Sequence, residues 1–250
     1  MHTLLEKAGA DNGFDLGGFL QDDWIHFRSS HAPVRVWLRA RQEGALIVAL
    51  SKANVLKGLE DFGIPAPDAL PDGACGARSV PDFATLHRLV RRAFQLSRTL
   101  PDELLRTFQS QTATLPRSTE VERSIIQRIG QDIFRQGLLE YWDSRCAISG
   151  LAVPELLRAS HIKPWADCAN DEERLDVFNG FLLAAHFDAA FDAGFITVGE
   201  AGEILISQVL SKEARALLGL NDEMKLRGVA DGHQQYLVWH RSRVFRRIGS

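Results

Sequence analysis

The residues of this chain whose types and spacing could do chemistry are concentrated between Cys146 and Val198. Asp188 and Asp192 are four residues apart, so on a helix they share one face and can converge on one hard cation, such as Mg²⁺ or Mn²⁺. The same pair could instead act as a general acid and base on a small substrate, as in glycoside hydrolysis. Three further side chains of types used in catalysis lie in this region, namely His161, Asn179 and His186.

Local patterns predict the elements that position these residues. Asn179-Gly180 is a strong turn signal, and we expect it to open a strand. A helix is predicted from about His186 to Gly194, because glycine is the usual residue just after a helix end. On such a helix His186 and Asp188 cannot share a face, so they can ligate one ion together only if His186 belongs to the preceding strand or turn.

Four motifs in this region occur in a fixed order along the chain. They are Cys146-Ala-Ile-Ser-Gly150, His161-Ile-Lys-Pro-Trp165, Asn179-Gly-Phe-Leu-Leu183 and His186-Phe-Asp-Ala-Ala-Phe-Asp-Ala-Gly194. This arrangement resembles the HNH, or ββα-metal, endonuclease family, and within it the branch found in bacterial restriction-type proteins. Weaker similarity at Phe134-Arg135 and from Tyr236 to Phe245 extends the resemblance to about residues 120–247.

The resemblance implies a DNA endonuclease that hydrolyses phosphodiester bonds with a histidine base and a divalent metal ion, Mg²⁺ or Mn²⁺. It gives the role of general base to His161, at the end of the first strand of a hairpin. Asn179 is implied either to brace the hairpin and orient the base or to help hold the metal. Asp188 is the expected principal helical ligand, with His186 and Asp192 as further ligands and His186 also as a catalytic candidate. Asp192 could alternatively bond to nearby backbone or to an arginine.

Two departures from the family pattern bear on these assignments. Many family members have an acid or a histidine immediately before the base, where this chain has Ser160, so the resemblance leaves the metal ligands open. An alternative is therefore a catalytically inactive HNH-fold protein that binds DNA. Some members also bind zinc through two Cys-x-x-Cys pairs, but Cys146 is followed by Ser149 and no second pair exists. Cys146 is therefore predicted to be a small buried residue.

Composition constrains the class of protein. The chain has 250 residues and is 45% apolar, which is enough for a core in one or two domains. Its longest apolar runs are shorter than the roughly 20 residues of a membrane span, and no run of signal-peptide length develops near the N-terminus. Three cysteines without close pairing suit free thiols in a reducing compartment. We therefore expect a cytoplasmic protein that does not contact a membrane.

The net charge of −3 means that any contact with DNA must come from a local basic patch. Between Tyr236 and Arg247 the chain carries four arginines and no acid. A solvated tail is the alternative explanation of this composition. The residues predicted to contact DNA are Lys163, Arg241, Arg243, Arg246 and Arg247. A homodimer is compatible with the sequence.

The sequence predicts an α+β protein with a small α/β recognition domain at residues 1–115 and an HNH nuclease domain at residues 116–250. Alternating or continuous apolar residues predict strands at 34–40 and 45–50, and an amphipathic helix begins near Pro81. Residues 109–118 have the composition of a linker. Thr119 and Glu122 then form a capping box that opens a second long helix.

The N-terminal domain is expected to select the DNA. The predicted helix after Pro81 has a basic face formed by Arg88, Arg91 and Arg92, which suits contact with the DNA backbone. Three aromatic residues, Trp24, Phe27 and Trp37, suit base stacking, although core packing explains them equally well. A modification-dependent restriction enzyme, which binds a flipped modified base in this domain, is an extension of the same interpretation.

Overall fold

The computed structural model describes residues 1–41, 44–66, 69–116 and 118–247 of the chain. The protein forms two compact units, Met1–Leu100 and Pro101–Ser250. Each unit combines helices with small antiparallel sheets, so the fold belongs to the α+β class that the sequence predicts. None of the helices in the described ranges has the length and apolar character that crossing a membrane would require.

The first unit is built on a six-stranded antiparallel sheet with the strand order β1-β2-β3-β4-β6-β5. Its strands are β1 Leu16–Gln21, β2 Trp24–Arg28, β3 Val36–Ala40, β4 Leu46–Leu50, β5 Ile64–Pro65 and β6 Gly76–Val80. Its helices, which pack against the sheet and against one another, are α1 His2–Ala10, α2 Ala53–Lys57 and α3 Phe83–Thr99. The predicted strands are confirmed as β3 and β4, and the predicted helix as α3, whose N-cap is Asp82.

The aromatic residues of the first unit belong to its core. Trp24 and Trp37 are buried in a cluster with Ile47, Ala49 and Ala77, and Phe27 is buried as well. Side chains with so little exposed surface cannot stack on a DNA base without repacking the sheet. Core packing is therefore the correct explanation of these aromatics. On α3, Arg88 and Arg91 are exposed, as the prediction of a basic face requires.

The second unit contains two short antiparallel sheets, β7 with β8 and β9 with β10, surrounded by helices. The strands are β7 Leu157–His161, β8 Gly180–Ala184, β9 Ile196–Val198 and β10 Ile204–Ile206. The helices are α4 Pro101–Thr112, α5 Glu120–Tyr141, α6 Asp171–Leu175, α7 Ala185–Asp192, α8 Lys212–Leu217 and α9 Asp231–Arg243. Helix α7 packs on β7, β8 and β9, and α5 packs on β7 and β8.

Helix α4 belongs to the second unit, whereas the boundary expected from the sequence lies after residue 115. It packs against α5, where Leu104 lies so close to Gly137 that a Cβ at that glycine would clash. The predicted linker at 109–118 is wrong at its start, because α4 continues to Thr112, whose buried hydroxyl donates to the Phe108 carbonyl at 2.8 Å. Arg117 of that linker lies outside the described residues.

The capping box at the start of α5 is confirmed. The Thr119 side chain accepts a hydrogen bond from the Glu122 amide, and the Glu122 carboxylate accepts from the Thr119 amide at 2.8 Å. These bonds satisfy amide groups that lack partners in the first turn of any helix. Helix α5 therefore begins at a defined residue, Glu120, and brings Phe134 to the β7–β8 hairpin.

Candidate active site

A hairpin and one helix form the framework of the candidate site. Strands β7 and β8 pair from Leu157 with Ala184 to His161 with Gly180, so the strand predicted to open at Asn179-Gly180 is observed. The connection between the strands runs through residues 162–179. It folds back on itself, and the Ile162 amide donates to the Asn179 carbonyl at 2.9 Å.

The turn that precedes the hairpin depends on the sulfur of Cys146. This thiol is free and buried, as predicted, and it accepts hydrogen bonds from the backbone amides of Ser149 at 3.4 Å and Ala184 at 3.3 Å. The second of these bonds fixes the turn to the end of β8. A serine at the position of the second zinc-binding cysteine is therefore compatible with an ordered turn that uses no metal.

Helix α7 has the bounds that the sequence predicts, to within two residues. It begins at Ala185 and ends at Asp192, and Gly194 follows with a φ of 71°. The Phe195 amide donates to the Ala190 carbonyl at 2.8 Å and the Gly194 amide to Phe191 at 2.9 Å, which is the Schellman pattern. A Cβ at Gly194 would also lie 2.1 Å from the Val244 carbonyl oxygen, so glycine is required here for two reasons.

Ser160, Asp188 and Asp192 come together where β7 meets α7. The Ser160 hydroxyl donates to Asp192 Oδ1 at 3.2 Å, and it is close enough to Asp188 to lower the pKa of that carboxyl in part. Because a hydroxyl carries one proton, it can donate to only one of these carboxylates at a time. Within the described part of the chain, Asp192 thus bonds to Ser160 rather than to the nearby backbone or the C-terminal arginine that the sequence offered as alternative partners.

The electrostatics of this group reflect two acids held close together. Partial burial raises the pKa of Asp188 above its ordinary value. Partial burial and the negative charge of Asp188 raise the pKa of Asp192 to about 6. A divalent cation between the carboxylates would relieve this repulsion, and carboxylate and hydroxyl oxygens are hard donors that suit Mg²⁺ or Mn²⁺. The donor set therefore fits such an ion.

The carboxylates can supply only part of a coordination shell. In the described part of the chain, no three side chains of His, Cys, Asp or Glu are close enough to hold a metal ion together. Mg²⁺ in proteins is commonly bound by one or two carboxylates and completes its octahedron with water and substrate phosphate oxygens. Two carboxylates and a hydroxyl agree with that pattern.

His186 does not join this group. It is the second residue of α7, exposed, with its ring against Phe187, and it does not belong to β8. At about 100° per residue, it points roughly 200° away from Asp188 around the helix. The condition under which His186 and Asp188 could ligate one ion together is therefore not met.

His161 lies next to Ser160 on β7 but faces the other side of the strand, as adjacent strand residues do. Its ring stacks on Phe134 of α5, with centroids 3.8 Å apart and planes 17° apart, and Trp165 meets it edge-on at 5.8 Å. Its Nε2 lies 2.9 Å from the Arg174 carbonyl oxygen. Since a carbonyl can only accept, Nε2 carries the hydrogen and Nδ1 carries the lone pair.

Burial lowers the pKa of His161 to about 4, although the Arg174 carbonyl partly offsets this effect. The imidazole is therefore neutral at neutral pH, in one tautomer and one orientation. A neutral imidazole with a free Nδ1 lone pair can accept a proton, which is the property that a general base needs.

Asn179 is fully buried and braces the connection between the strands. Its Oδ1 accepts from the Lys163 amide at 2.8 Å, and its Nδ2 donates to the carbonyls of Lys163 at 3.2 Å and Glu173 at 3.0 Å. Nδ2 also lies 3.3 Å from the Cys168 sulfur. The sequence left two roles open for Asn179, bracing the hairpin or holding the metal. The geometry matches the brace, because the side-chain amide of Asn179 is hydrogen-bonded to backbone groups of the protein.

The residues expected to contact DNA differ in their surroundings. Lys163 Nζ pairs with Glu173 Oε2 at 2.6 Å, so its charge is already compensated. Arg241 donates to the Val198 carbonyl at 2.8 Å, and the Arg246 guanidinium lies 4.5 Å from the centroid of the Phe195 ring. Arg243 and Arg247 are exposed. The solvated-tail alternative does not hold for residues 231–243, because they form the packed helix α9.

Several residues of the site were not predicted from the sequence. Phe134 and Arg174 fix His161, while Asp176 accepts hydrogen bonds from the Tyr236 hydroxyl and the Phe178 amide, both at 2.9 Å. Burial raises the pKa of Asp176 to about 6.

The sequence signal that could have identified helix α9 is the spacing of its buried residues. They are His233, Tyr236, Leu237 and His240, and this spacing places them on one helical face.

Residues 146–199 match the family model described as HNH endonuclease. The matched segment begins at the Cys146 turn and includes β7, β8 and α7, hence every residue of the candidate active site from Ser160 to Asp192. The protein therefore contains an HNH domain, of the class that acts on DNA as nucleases and generally uses a divalent metal. A search of curated proteins gave no match to this chain.

Proposed function

We propose that this protein is a metal-dependent DNA endonuclease of the HNH type, which hydrolyses phosphodiester bonds. One observation carries the proposal. Within the segment that matches the HNH family, β7 presents Ser160 to two carboxylates of α7 on one face and a neutral, fixed His161 on the other.

His161 acts as the general base in this proposal. Its Nδ1 takes a proton from the attacking water. The bond from Nε2 to the Arg174 carbonyl fixes the tautomer with the lone pair on Nδ1, and burial keeps the imidazole neutral in the resting state. The stacked ring of Phe134 restricts rotation of the imidazole. Asn179 contributes indirectly, because it holds the Lys163 and Glu173 backbones on either side of the connection that carries Arg174.

Asp188, Asp192 and Ser160 would hold the Mg²⁺ or Mn²⁺ ion, with Asp188 as the principal helical ligand. Such an ion stabilises negative charge on the phosphate and on the leaving oxygen. Ser160 in this arrangement orients Asp192, because its hydroxyl donates to that carboxylate, and it also lowers the pKa of the neighbouring Asp188.

Nicking of supercoiled plasmid with Mg²⁺, Mn²⁺ or EDTA tests the proposal. His161→Ala should lower the cleavage rate on the order of 10²–10⁴-fold and leave DNA binding largely intact. His186→Ala is the comparison variant, since it removes an exposed histidine of the same domain that lies about 200° around α7 from Asp188. A His161→Ala protein that cuts at the wild-type rate would refute the assignment of the base.

The metal ligands are tested by titrating Mn²⁺ against the nicking rate. Asp188→Ala should raise the Mn²⁺ midpoint and lose activity that extra metal only partly restores. Asp132, an exposed acid on α5, provides the matched control as Asp132→Ala. If His186→Ala shifts the midpoint strongly and Asp188→Ala does not, the helical ligand is His186.

A second candidate, a catalytically inactive DNA-binding protein, is favoured by one observation, the serine at position 160. The hydroxyl supplies no negative charge where an acid would, so only the two carboxylates would compensate the charge of the cation. Absence of nicking with every metal, together with retained DNA binding, would establish this second function.

We further propose that the protein is a restriction enzyme whose first unit selects the DNA. The exposed arginines Arg88 and Arg91 of α3 support a contact with the phosphate backbone. Digestion of matched methylated and unmethylated DNA tests for modification dependence. Equal cleavage of both substrates would refute it.

A further inference from the structure

Helix α9 lies outside the segment that matches the HNH family, yet it contacts the site at two separate points. Its buried side chains include Tyr236 and His240, four residues apart, so both extend from one face. Each makes buried hydrogen bonds to a different part of the HNH domain.

His240 holds the last turn of α7. Its ring stacks on Phe191, with centroids 3.9 Å apart and planes 8° apart, and its Nε2 lies 3.2 Å from the Phe191 carbonyl oxygen. Since that carbonyl can only accept, Nε2 is the donor, and Nδ1 then accepts from the Thr197 hydroxyl at 2.9 Å. The Phe191 carbonyl also accepts from the Gly194 amide at 2.9 Å, so His240 adds a second hydrogen bond to the last turn of α7, one residue before Asp192.

Tyr236 holds the turn that carries Asn179. Its hydroxyl donates to Asp176 Oδ2 at 2.9 Å, and the backbone carbonyl of Asp176 accepts from the Asn179 amide at 2.8 Å. Asp176 Oδ1 accepts from the Phe178 amide at 2.9 Å, so both carboxylate oxygens are engaged. This turn is the last part of the connection between β7 and β8, the segment that also carries Arg174, whose carbonyl holds His161.

We propose that α9 is a positioning element of the active site, in which His240 sets the position of Asp192 and Tyr236 sets that of Asn179. The inference rests on the proposed function, because it assigns α9 a part in holding the ligand and the base. Its distinguishing feature is that the two contacts serve different halves of the site. General loss of stability would instead affect both halves together.

Two conservative variants of the full chain separate the halves. His240→Phe keeps a ring on Phe191 but loses both hydrogen bonds, and Tyr236→Phe loses only the hydroxyl. Direct Mn²⁺ binding, measured by electron paramagnetic resonance, reports on the carboxylates without requiring cleavage. The ¹⁵N chemical shifts of the His161 imidazole report its tautomer.

We expect His240→Phe to weaken Mn²⁺ binding about 10- to 100-fold, as is usual when the support of a ligand is lost, with the His161 signals unchanged. Tyr236→Phe should alter the His161 signals and leave the Mn²⁺ affinity within about twofold of wild type. Val238→Ala, at an exposed position of the same helix, is the control and should change neither. If His240→Phe does not fold, Thr197→Val removes one of the same hydrogen bonds with little change of shape.

The outcomes distinguish this inference from the proposed function. A wild-type protein that does not bind Mn²⁺ would refute the proposed function and the inference with it. Wild-type Mn²⁺ binding that persists unchanged in His240→Phe or, where that variant does not fold, in Thr197→Val would refute the inference alone. So would variants that alter both readouts in parallel.

Discussion

Asp176 makes the stability of the protein depend on pH in a way that one substitution can isolate. Its carboxyl is buried between the Phe178 amide and the Tyr236 hydroxyl, and burial raises its pKa from 3.8 to about 6. The folded protein therefore binds a proton at Asp176 more tightly than the unfolded chain does. Asp176→Asn keeps the size of the side chain and removes this titration.

The sign and the magnitude of this change in the free energy of unfolding follow from the linkage between folding and proton binding. Between pH 3.8 and about 6 the folded state holds more protons at Asp176, so the free energy of unfolding falls as the pH rises through this window. Each pKa unit corresponds to about 1.4 kcal/mol, so the fall amounts to about 3 kcal/mol. The contribution is fully present below the window and absent above it.

Urea denaturation of the full chain at pH 4, 5, 6 and 7.5, followed by circular dichroism, measures this effect. Other titrating groups contribute equally to wild type and variant, so the difference between their unfolding free energies isolates Asp176. Relative to wild type, Asp176→Asn should gain about 2.4 kcal/mol between pH 4 and pH 7.5, because the unfolded carboxyl is already more than half ionised at pH 4. A difference that stays constant over this range would refute the argument that burial disfavours the ionised carboxylate of Asp176 and so raises its pKa.

Three other variants test the site and its expected contacts with DNA. Asn179→Ala should lower the free energy of unfolding by about 2–4 kcal/mol, because several buried groups lose a partner, and a loss below about 0.5 kcal/mol in urea denaturation would contradict the brace. Ser160→Asp should lower the melting temperature in EDTA, and Mn²⁺ should reverse the loss. An equal loss in both conditions would exclude a cation there. Arg243→Gln with Arg247→Gln should reduce the salt slope of DNA binding by about 0.9 per phosphate contact, and an unchanged slope would contradict the contacts.

Helix α7 and helix α5 could be predicted because the chain marks their ends with specific residues. Thr119 and Glu122 satisfy the first amides of α5, and Gly194 accepts the left-handed backbone that ends α7. These requirements are local, so they are visible in a few consecutive residues. The burial of Cys146 could be predicted from the sequence, but its hydrogen bonds could not. One of them comes from the backbone amide of Ala184, which lies 38 residues further along the chain.

Helix α9 shows why a periodic pattern can be missed. Two of its four buried positions are histidines, His233 and His240, which hydropathy treats as polar. Their burial depends on partners that lie far away in sequence, such as Thr197 and Phe191 for His240. A run of arginines around them then gives the segment the composition of a solvated tail. The information that identifies this helix lies in its tertiary contacts.

The assignment of base and ligands depends on the register of β7, which the motif alone does not fix. Ser160 and His161 are neighbours in sequence, and strand geometry directs them to opposite faces, one towards α7 and the other towards Phe134. A shift of one residue would exchange these faces and turn the histidine towards the carboxylates. The observed register is held by the pairing of His161 with Gly180, where a Cβ would lie 2.4 Å from the Phe134 ring. Gly180 therefore allows α5 to approach the hairpin closely enough for Phe134 to stack on His161 and fix the orientation of its imidazole.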